Sequence, residues 1–317
     1  MTMGIKKKLF FLLFLILLSA ETAFSSDTKG LYYYDNNNKI KNNLTKFPTQ
    51  MIGEVKVYRV RKGDTLLDIA RNFSLGFAEL KICNTGVDPW IPPEDEILVI
   101  PSEWILPECS FNGIVINIPE MRLYYFVPKT NYLYTFPIGL GMEDWQTPKG
   151  KFKVTGKREN PTWYVPESIR SSMEEPKKIV PPGPDNPLGK YFLSLSRGYG
   201  IHGTNSPWSI GRLTTHGCIR LYPEDMEFFY KKVGIGTTVE IVYQPVKIGI
   251  KNNKLYMEVY DDIYGVMKNP VEETTRLLRK SGYINKVDIE KVKSALEEKS
   301  GLPVCISITP ATISEKE

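Results

Sequence analysis

Apolar positions repeat along this chain with two different periods, and the change of period divides it. Between residues 57 and 102, strand-like runs flank helical spacing. "VYRV" (57–60) reads as a strand, and "KGDTLLDIARNF" (62–73) predicts an amphipathic helix with Leu66, Ile69, Ala70 and Phe73 at i, i+3, i+4 and i+7. A second short helix is predicted over "FAELKICN" (77–84), and "ILVIP" (97–101) reads as a strand ended by Pro101. From Gly113 the period is two. "GIVINI" and "MRLYYF", separated by Pro119 and Glu120, predict a hairpin. "YLYTFPI" (132–138), "KFKVTGK" (151–157), "YFLSLS" (191–196) and "TVEIVY" (238–243) extend the series. One helix interrupts it, "PEDMEFFYKKV" (223–233). Pro223 suits its first turn, Glu224 and Asp225 its N-terminus, and Met226, Phe229, Tyr230 and Val233 form one face. Short strands with glycine and proline turns predict a mainly β fold, a β-sandwich or small barrel with one or two helices.

The flanking segments carry other signals. Lys6, Lys7 and Lys8 precede the apolar run "LFFLLFLILL" (9–18), and "AFS" (23–25) supplies small residues before Ser26. Residues 1–25 therefore read as an export signal, with an uncleaved anchor as the alternative. No later stretch is long and apolar enough to span a membrane. Residues 26–56 are polar and rich in asparagine, an extended lead-in. "PTWYVPESIRSSMEEPKKIVPPGPDNPL" (161–188) is a long proline-rich connection, a type that is usually functional or disordered. Beyond Gln244 a hairpin ("KIGIKNN", "KLYMEVY") and two helices are predicted, the first capped by Asn269, Pro270 and Glu272. "GLPVCISI" (301–308) is a candidate last strand. The expected organisation is a signal peptide (1–25), the lead-in (26–56), a small βααβ unit (57–102), a β domain (110–244) and a mixed α/β extension (245–317) of no assigned chemistry.

Charge and cysteine content narrow the function classes. The formal charge of +5 becomes +3 once residues 1–25 are removed, far from a nucleic-acid-binding signature. An exported chain favours disulfides, yet there are only four cysteines, Cys83, Cys109, Cys218 and Cys305. If Cys218 stays a thiol, the remaining three cannot all pair. Cys83 with Cys109 is the only local pair.

Candidate chemistry concentrates in "HGTNSPWSIGRLTTHGCIRL" (202–221), which holds both histidines of the chain, His202 and His216, and a cysteine, Cys218. Three readings compete. A buried cysteine and a hydrogen-bonded histidine are common structural features. A zinc site could use His216 and Cys218 on one strand face, but only three obvious ligands exist and no paired spacing. Nucleophilic catalysis needs an imidazole near a thiol whose free pKa is about 8.5, and backbone amides to hold an oxyanion. Gly203 and Gly217 beside the partners permit the turns that expose such amides.

"IHGT" followed by "THGCIRL" resembles the signature of the YkuD-type L,D-transpeptidases, an [ST]-[HQ]-G-C-[IV]-R tail after an upstream HGT. "IVINIPEMRLYYF", "FPIGLG…TPKG" and "PPGPDNPLGKYFLSLSRGYGIHGTN" are similar to the branch carrying an N-terminal LysM domain. "YRVRKGDTLLDIA" and "LVIP" resemble that domain itself, a module that binds N-acetylglucosamine-containing glycans. The resemblance runs from about Tyr58 to about Tyr260.

It implies an exported, periplasmic or wall-associated enzyme of peptidoglycan maturation. Cys218 would attack a diaminopimelate carbonyl in a tetrapeptide stem, release D-Ala and pass the acyl group to an amine of a second stem or an envelope lipoprotein. No metal or organic cofactor is implied, and the partners are stem peptides and glycan strands. His202 would be the general base, oriented by the Gly203 carbonyl. His216 and Gly217 would position the nucleophile and supply oxyanion amides. Arg220 and Thr215 would contact substrate or brace the loop, and Trp163 and Tyr164 would wall the donor site. One departure is "GRLTT" (211–215) where the family carries "GLRVS", which shifts an arginine to Arg212. Two alternatives stay open: a hydrolase that lets water resolve the same thioester, and a non-catalytic wall-binding protein.

Overall fold

The computed structural model describes residues 30–34, 49–171 and 173–308. The signal expected at residues 1–25 lies outside them. The described part of the lead-in is not a free tail: it forms β1 (Leu31–Tyr33) and β2 (Thr49–Gly53), and Tyr34 is buried.

β3 (Lys56–Arg59), α1 (Leu66–Asn72), α2 (Phe77–Cys83) and β4 (Ile97–Ile100) make the βααβ unit, with β3 and β4 antiparallel. Helix α1 starts four residues later than the periodicity predicts, because Thr65 caps it. The Thr65 hydroxyl accepts from the Asp68 amide at 3.1 Å and donates to the Asp68 carboxylate at 2.6 Å, a cap worth about 1 kcal/mol.

β5 (Glu103–Ile105) leads into the main sheet. Its strands are β6 (Gly113–Asn117), β7 (Arg122–Phe126), β8 (Tyr132–Pro137), β10 (Gly150–Glu159), β13 (Tyr191–Leu195), β14 (Gly200–His202), β16 (Ile219–Arg220) and β17 (Thr238–Val242). With β1 they run in the order β1-β8-β7-β6-β17-β10-β13-β14-β16. Two short pairs flank the sheet: β9 (Leu140–Gly141) parallel to β15 (Leu213–Thr215), and β11 (Trp163–Tyr164) antiparallel to β12 (Ile179–Val180). Strand β10 pairs with β17 through Lys153 and with β13 from Val154, the register shifting between Val154 and Gly156. Such a bulge bends a strand and lets one long element serve two halves of a curled sheet.

Both faces of this sheet are covered. Ile114, Ile116, Leu123, Leu193, Ile201 and Ile219 pack on one side with Met226 and Phe229 of α3 (Pro223–Lys232) and with Val233 just past its end. On the other side Val115, Tyr124 and Phe126 share a core with Leu66, Ile69 and Leu80 of the βααβ unit. That explains why "GIVINI" and "RLYYF" are almost continuously apolar. The extension adds β18 (Val246–Lys251), β19 (Lys254–Val259), α4 (Pro270–Ser281), α5 (Ile289–Glu298) and β20 (Val304–Cys305). Strands β20, β19, β18, β2 and β5 form one sheet, so the lead-in and the extension fold together.

All four cysteines are free thiols, which corrects the expected Cys83–Cys109 pair. Cys83 donates to the Ser300 carbonyl at 3.3 Å on the extension. Cys109 is buried in the second core and accepts from the Phe111 amide. No described helix is long and apolar enough to cross a membrane.

Candidate active site

Strand register assembles the candidate residues. Phe192 on β13 pairs with His202 on β14, and His202 pairs with Arg220 on β16. Side chains alternate along a strand, so Leu193, Ile201 and Ile219 go to the core while Phe192, His202 and Arg220 face the other way. Arg158 of β10 joins the same row opposite Phe192. Its guanidinium carbon lies 4.6 Å from the Phe192 ring centroid, and that ring stacks on His202 at 5.7 Å and 12°. The next row along the sheet holds Gly156, Ser194 and Gly200, and it points to Cys218, one residue before β16. A Cβ at Gly200 would come within 2.2 Å of the Phe192 ring, so only glycine lets that ring lie against His202.

The C-terminal end of the proline-rich connection lies against this row. A Cβ at Gly189 would meet the Thr204 amide at 2.8 Å, and His202 is only 3% exposed. His202 Nδ1 lies 2.7 Å from the Gly203 carbonyl oxygen. A carbonyl only accepts, so Nδ1 carries the proton and Nε2 of the neutral ring keeps its lone pair. Burial, and next the Arg220 charge, push the His202 pKa down to about 3, against the opposing carbonyls of Gly203 and Leu188. Burial raises the Cys218 thiol, while the Gly200 amide and Arg220 pull it back. At neutral pH the site therefore holds an uncharged imidazole and an uncharged thiol. Arg220 is the cation shared by both; its buried Nε has no partner among the described residues.

The nucleophile turn is fastened from both sides. Gly217 has φ +97°, a conformation that favours glycine, and a Cβ there would meet the Tyr199 ring at 2.9 Å. The Thr215 hydroxyl donates to the Cys218 carbonyl at 2.6 Å and accepts the Gly217 amide at 3.2 Å. The Thr147 hydroxyl donates to the Gly217 carbonyl at 3.2 Å. Among the described residues no protein acceptor takes the Cys218 N–H. His216 is half-buried beside Trp145, ring centroids 5.1 Å apart, and burial lowers its pKa ahead of Arg220.

Trp163 and Tyr164 sit on β11 in the covering connection, and Tyr164 is 69% exposed. Among the described residues neither makes a ring contact or hydrogen bond with His202 or Cys218. The shifted Arg212 is engaged elsewhere, its guanidinium 4.1 Å from the ring centroid of Phe77 on α2. No group of three or more His, Cys, Asp or Glu among the described residues is placed to hold a metal ion. Phe192, Gly200, Trp145 and Thr147 escaped the sequence reading. A single Phe, Gly, Trp or Thr carries no spacing signal until the register is known.

Comparison with known proteins bears on the same segments. The model of the L,D-transpeptidase catalytic domain (YkuD) matches residues 112–241, and that of the LysM domain matches residues 58–101. The probable L,D-transpeptidase YbiS of Escherichia coli K12 is 35% identical over 271 residues, 81% of this chain and 88% of that protein. The probable L,D-transpeptidase ErfK/SrfK of the same strain is 36% identical over 253 residues, 75% of this chain and 81% of that protein. The putative L,D-transpeptidase YkuD of Bacillus subtilis 168 is 30% identical over 187 residues, 58% of this chain and 97% of that protein. With the HGT and THGCIR segments brought onto adjacent parallel strands, and relatives matched over most of their own length, this chain belongs to the YkuD family of L,D-transpeptidases, in the form that carries a LysM domain.

Proposed function

We propose that the protein is a peptidoglycan L,D-transpeptidase that works through a thioester on Cys218. Sγ attacks the carbonyl carbon on the L-centre of a diaminopimelate residue as its proton passes to His202 Nε2. The carbonyl oxygen becomes an oxyanion facing the Cys218 N–H, the free amide of the turn; the Gly217 N–H already serves Thr215. Collapse breaks the amide bond, and His202 returns the proton to the departing D-Ala amine. An acceptor amine, from a second stem or a lipoprotein lysine, then attacks the thioester, and the thiol is restored. Arg220, a cation with an unpartnered Nε, suits a substrate carboxylate. His216 and Trp145 border the turn. Trp163 and Tyr164 act, in this reading, only if the covering connection closes on substrate. The LysM unit contacts glycan strands, and the setting is the exported, wall-associated one.

The single observation carrying the reading is the pairing of β14 with β16, which puts His202 with its tautomer fixed beside the thiol's row. Incubating the full chain with tetrapeptide stems, with and without an amine acceptor, tests it. Cross-linked product plus D-Ala is expected. Tripeptide plus D-Ala alone would replace transfer by hydrolysis. The absence of any product and of any Cys218 adduct would overturn the enzymatic reading.

A further inference from the structure

We infer that the C-terminal extension completes the catalytic centre: Tyr264 is a positioning residue that, through Thr147, fixes the Gly217–Cys218 peptide group. The inference rests on the acyl-transfer reading of Cys218.

The extension reaches the site through a turn whose own geometry is fixed. Asp262 accepts from the Val266 amide at 2.9 Å and the Met267 amide at 2.8 Å, and its main-chain carbonyl accepts from Gly265 at 3.0 Å. Tyr243, just past the end of β17, donates its hydroxyl to the Asp262 carboxylate and accepts the Tyr264 amide at 2.9 Å. The two tyrosine rings stack at 6.1 Å and 27°. Tyr264 is thus held by its backbone and by its ring.

Its hydroxyl then ties down the loop that precedes β10. It donates to the Gly141 carbonyl at 2.7 Å and accepts the Thr147 amide at 3.3 Å. Residues 141–147 form a turn so tight that a Cβ at Gly141 would lie 2.0 Å from the Trp145 carbonyl oxygen. Thr147, 2% exposed, accepts the Gly141 amide at 3.0 Å and donates to the Gly217 carbonyl at 3.2 Å. A peptide group is planar with its C=O and N–H antiparallel. Holding the Gly217 oxygen therefore sets the direction of the Cys218 N–H, the donor left for the oxyanion. Donors of this kind work only when aimed before charge develops. Misplacement by about 1 Å can lower a rate by roughly a hundredfold.

The test separates aim from integrity. Alkylation of Cys218 by iodoacetamide displaces iodide and develops no carbonyl oxyanion, whereas acylation by a tetrapeptide stem does. In the full chain, Tyr264→Phe removes one oxygen and keeps the stacked ring. Its single-turnover acylation is expected to fall by roughly tenfold or more at unchanged KM, while the alkylation rate and its pH profile stay those of the wild type. Thr147→Val should lose acylation in the same way and Thr147→Ser should retain it. The double variant Tyr264→Phe/Thr147→Val should be no slower than Thr147→Val, since both act through one chain of bonds. If Thr147→Val does not fold, the contrast between Tyr264→Phe and Thr147→Ser decides. Wild-type acylation by Tyr264→Phe overturns the inference, as does a parallel fall in alkylation. A wild-type protein inert toward the stem would instead overturn the proposed function, and that is read before any variant is made.

Discussion

His202 and His216 stand fourteen positions apart in one segment, yet their surroundings differ. His202 is enclosed by Phe192, Gly203 and Leu188, and His216 lies half-open on the turn against Trp145. His202→Ala is expected to lower acyl transfer by roughly 10²- to 10⁴-fold, the usual worth of a general base, and His216→Gln by far less. Equal losses in steady-state assays would mean the proton passes elsewhere. The pH dependence follows from burial. With the thiol pushed up, alkylation of Cys218 should rise at a pH above the ordinary thiol value of about 8.5. A plateau near neutrality would reveal a thiolate–imidazolium pair instead. For stability the sign is set by His202: between its unfolded value of about 6.5 and its folded value, the unfolded chain binds a proton that the folded chain refuses. Its contribution is lost as pH falls through that window, about 2 kcal/mol between pH 6.5 and 5. Denaturant unfolding of wild type against His202→Gln should show a shallower slope in the variant. The residue types were legible in the sequence because the chain has no other histidine. Their charge states were not, because burial depends on which strand and which end of the connection pack against each ring, and that is set by tertiary packing.

Among elements, the central observation is the cross-strand row of Arg158, Phe192, His202 and Arg220, with Gly200 leaving room for the ring between them. Gly200→Ala should displace Phe192, destabilise the protein by about 1–3 kcal/mol as overpacking does, and reduce acylation. An unchanged unfolding midpoint and unchanged activity would show that the stack is incidental. Period-two patterning located β10 and β13 to within two residues, and left the short β14 and β16 unmarked. It could not supply the register, because a strand's alternation says which residues share a face and not which strand lies beside it. The late start of α1 has a local cause, the Thr65 cap, which the apolar stripe does not reveal.

For the molecule as a whole, the βααβ unit and the catalytic sheet share one core and one buried ion pair. Arg122 on β7 is fully buried, its Nη2 2.7 Å from Glu79 Oε1 on α2, with its guanidinium carbon 4.1 Å from the Trp104 ring centroid. Truncating one partner of such a pair leaves an uncompensated buried charge, so Glu79→Ala is expected to cost about 3–5 kcal/mol. Unfolding of the wild type should remain a single transition, seen alike by tryptophan fluorescence and far-UV circular dichroism. Two separable transitions would show that the LysM unit folds independently of the sheet. The backbone contact of Gly211 with Gly76, and Arg212 over Phe77, carry this docking to within a few residues of the Cys218 turn.

The sequence by itself determined what is local or chemically rare: the periods of strands and helices, the HGT and THGCIR segments, and the family to which they point. Tertiary structure alone decided which of those residues meet. Cys83 faces Ser300, Arg212 faces Phe77, the lead-in strands pair far down the chain, and Tyr264 bonds Gly141 and Thr147, the residue that holds the nucleophile turn. Each of these contacts joins positions separated by tens to hundreds of residues. Their partners were chosen by register and by which apolar faces remained to be covered, and neither leaves a periodic mark on the chain.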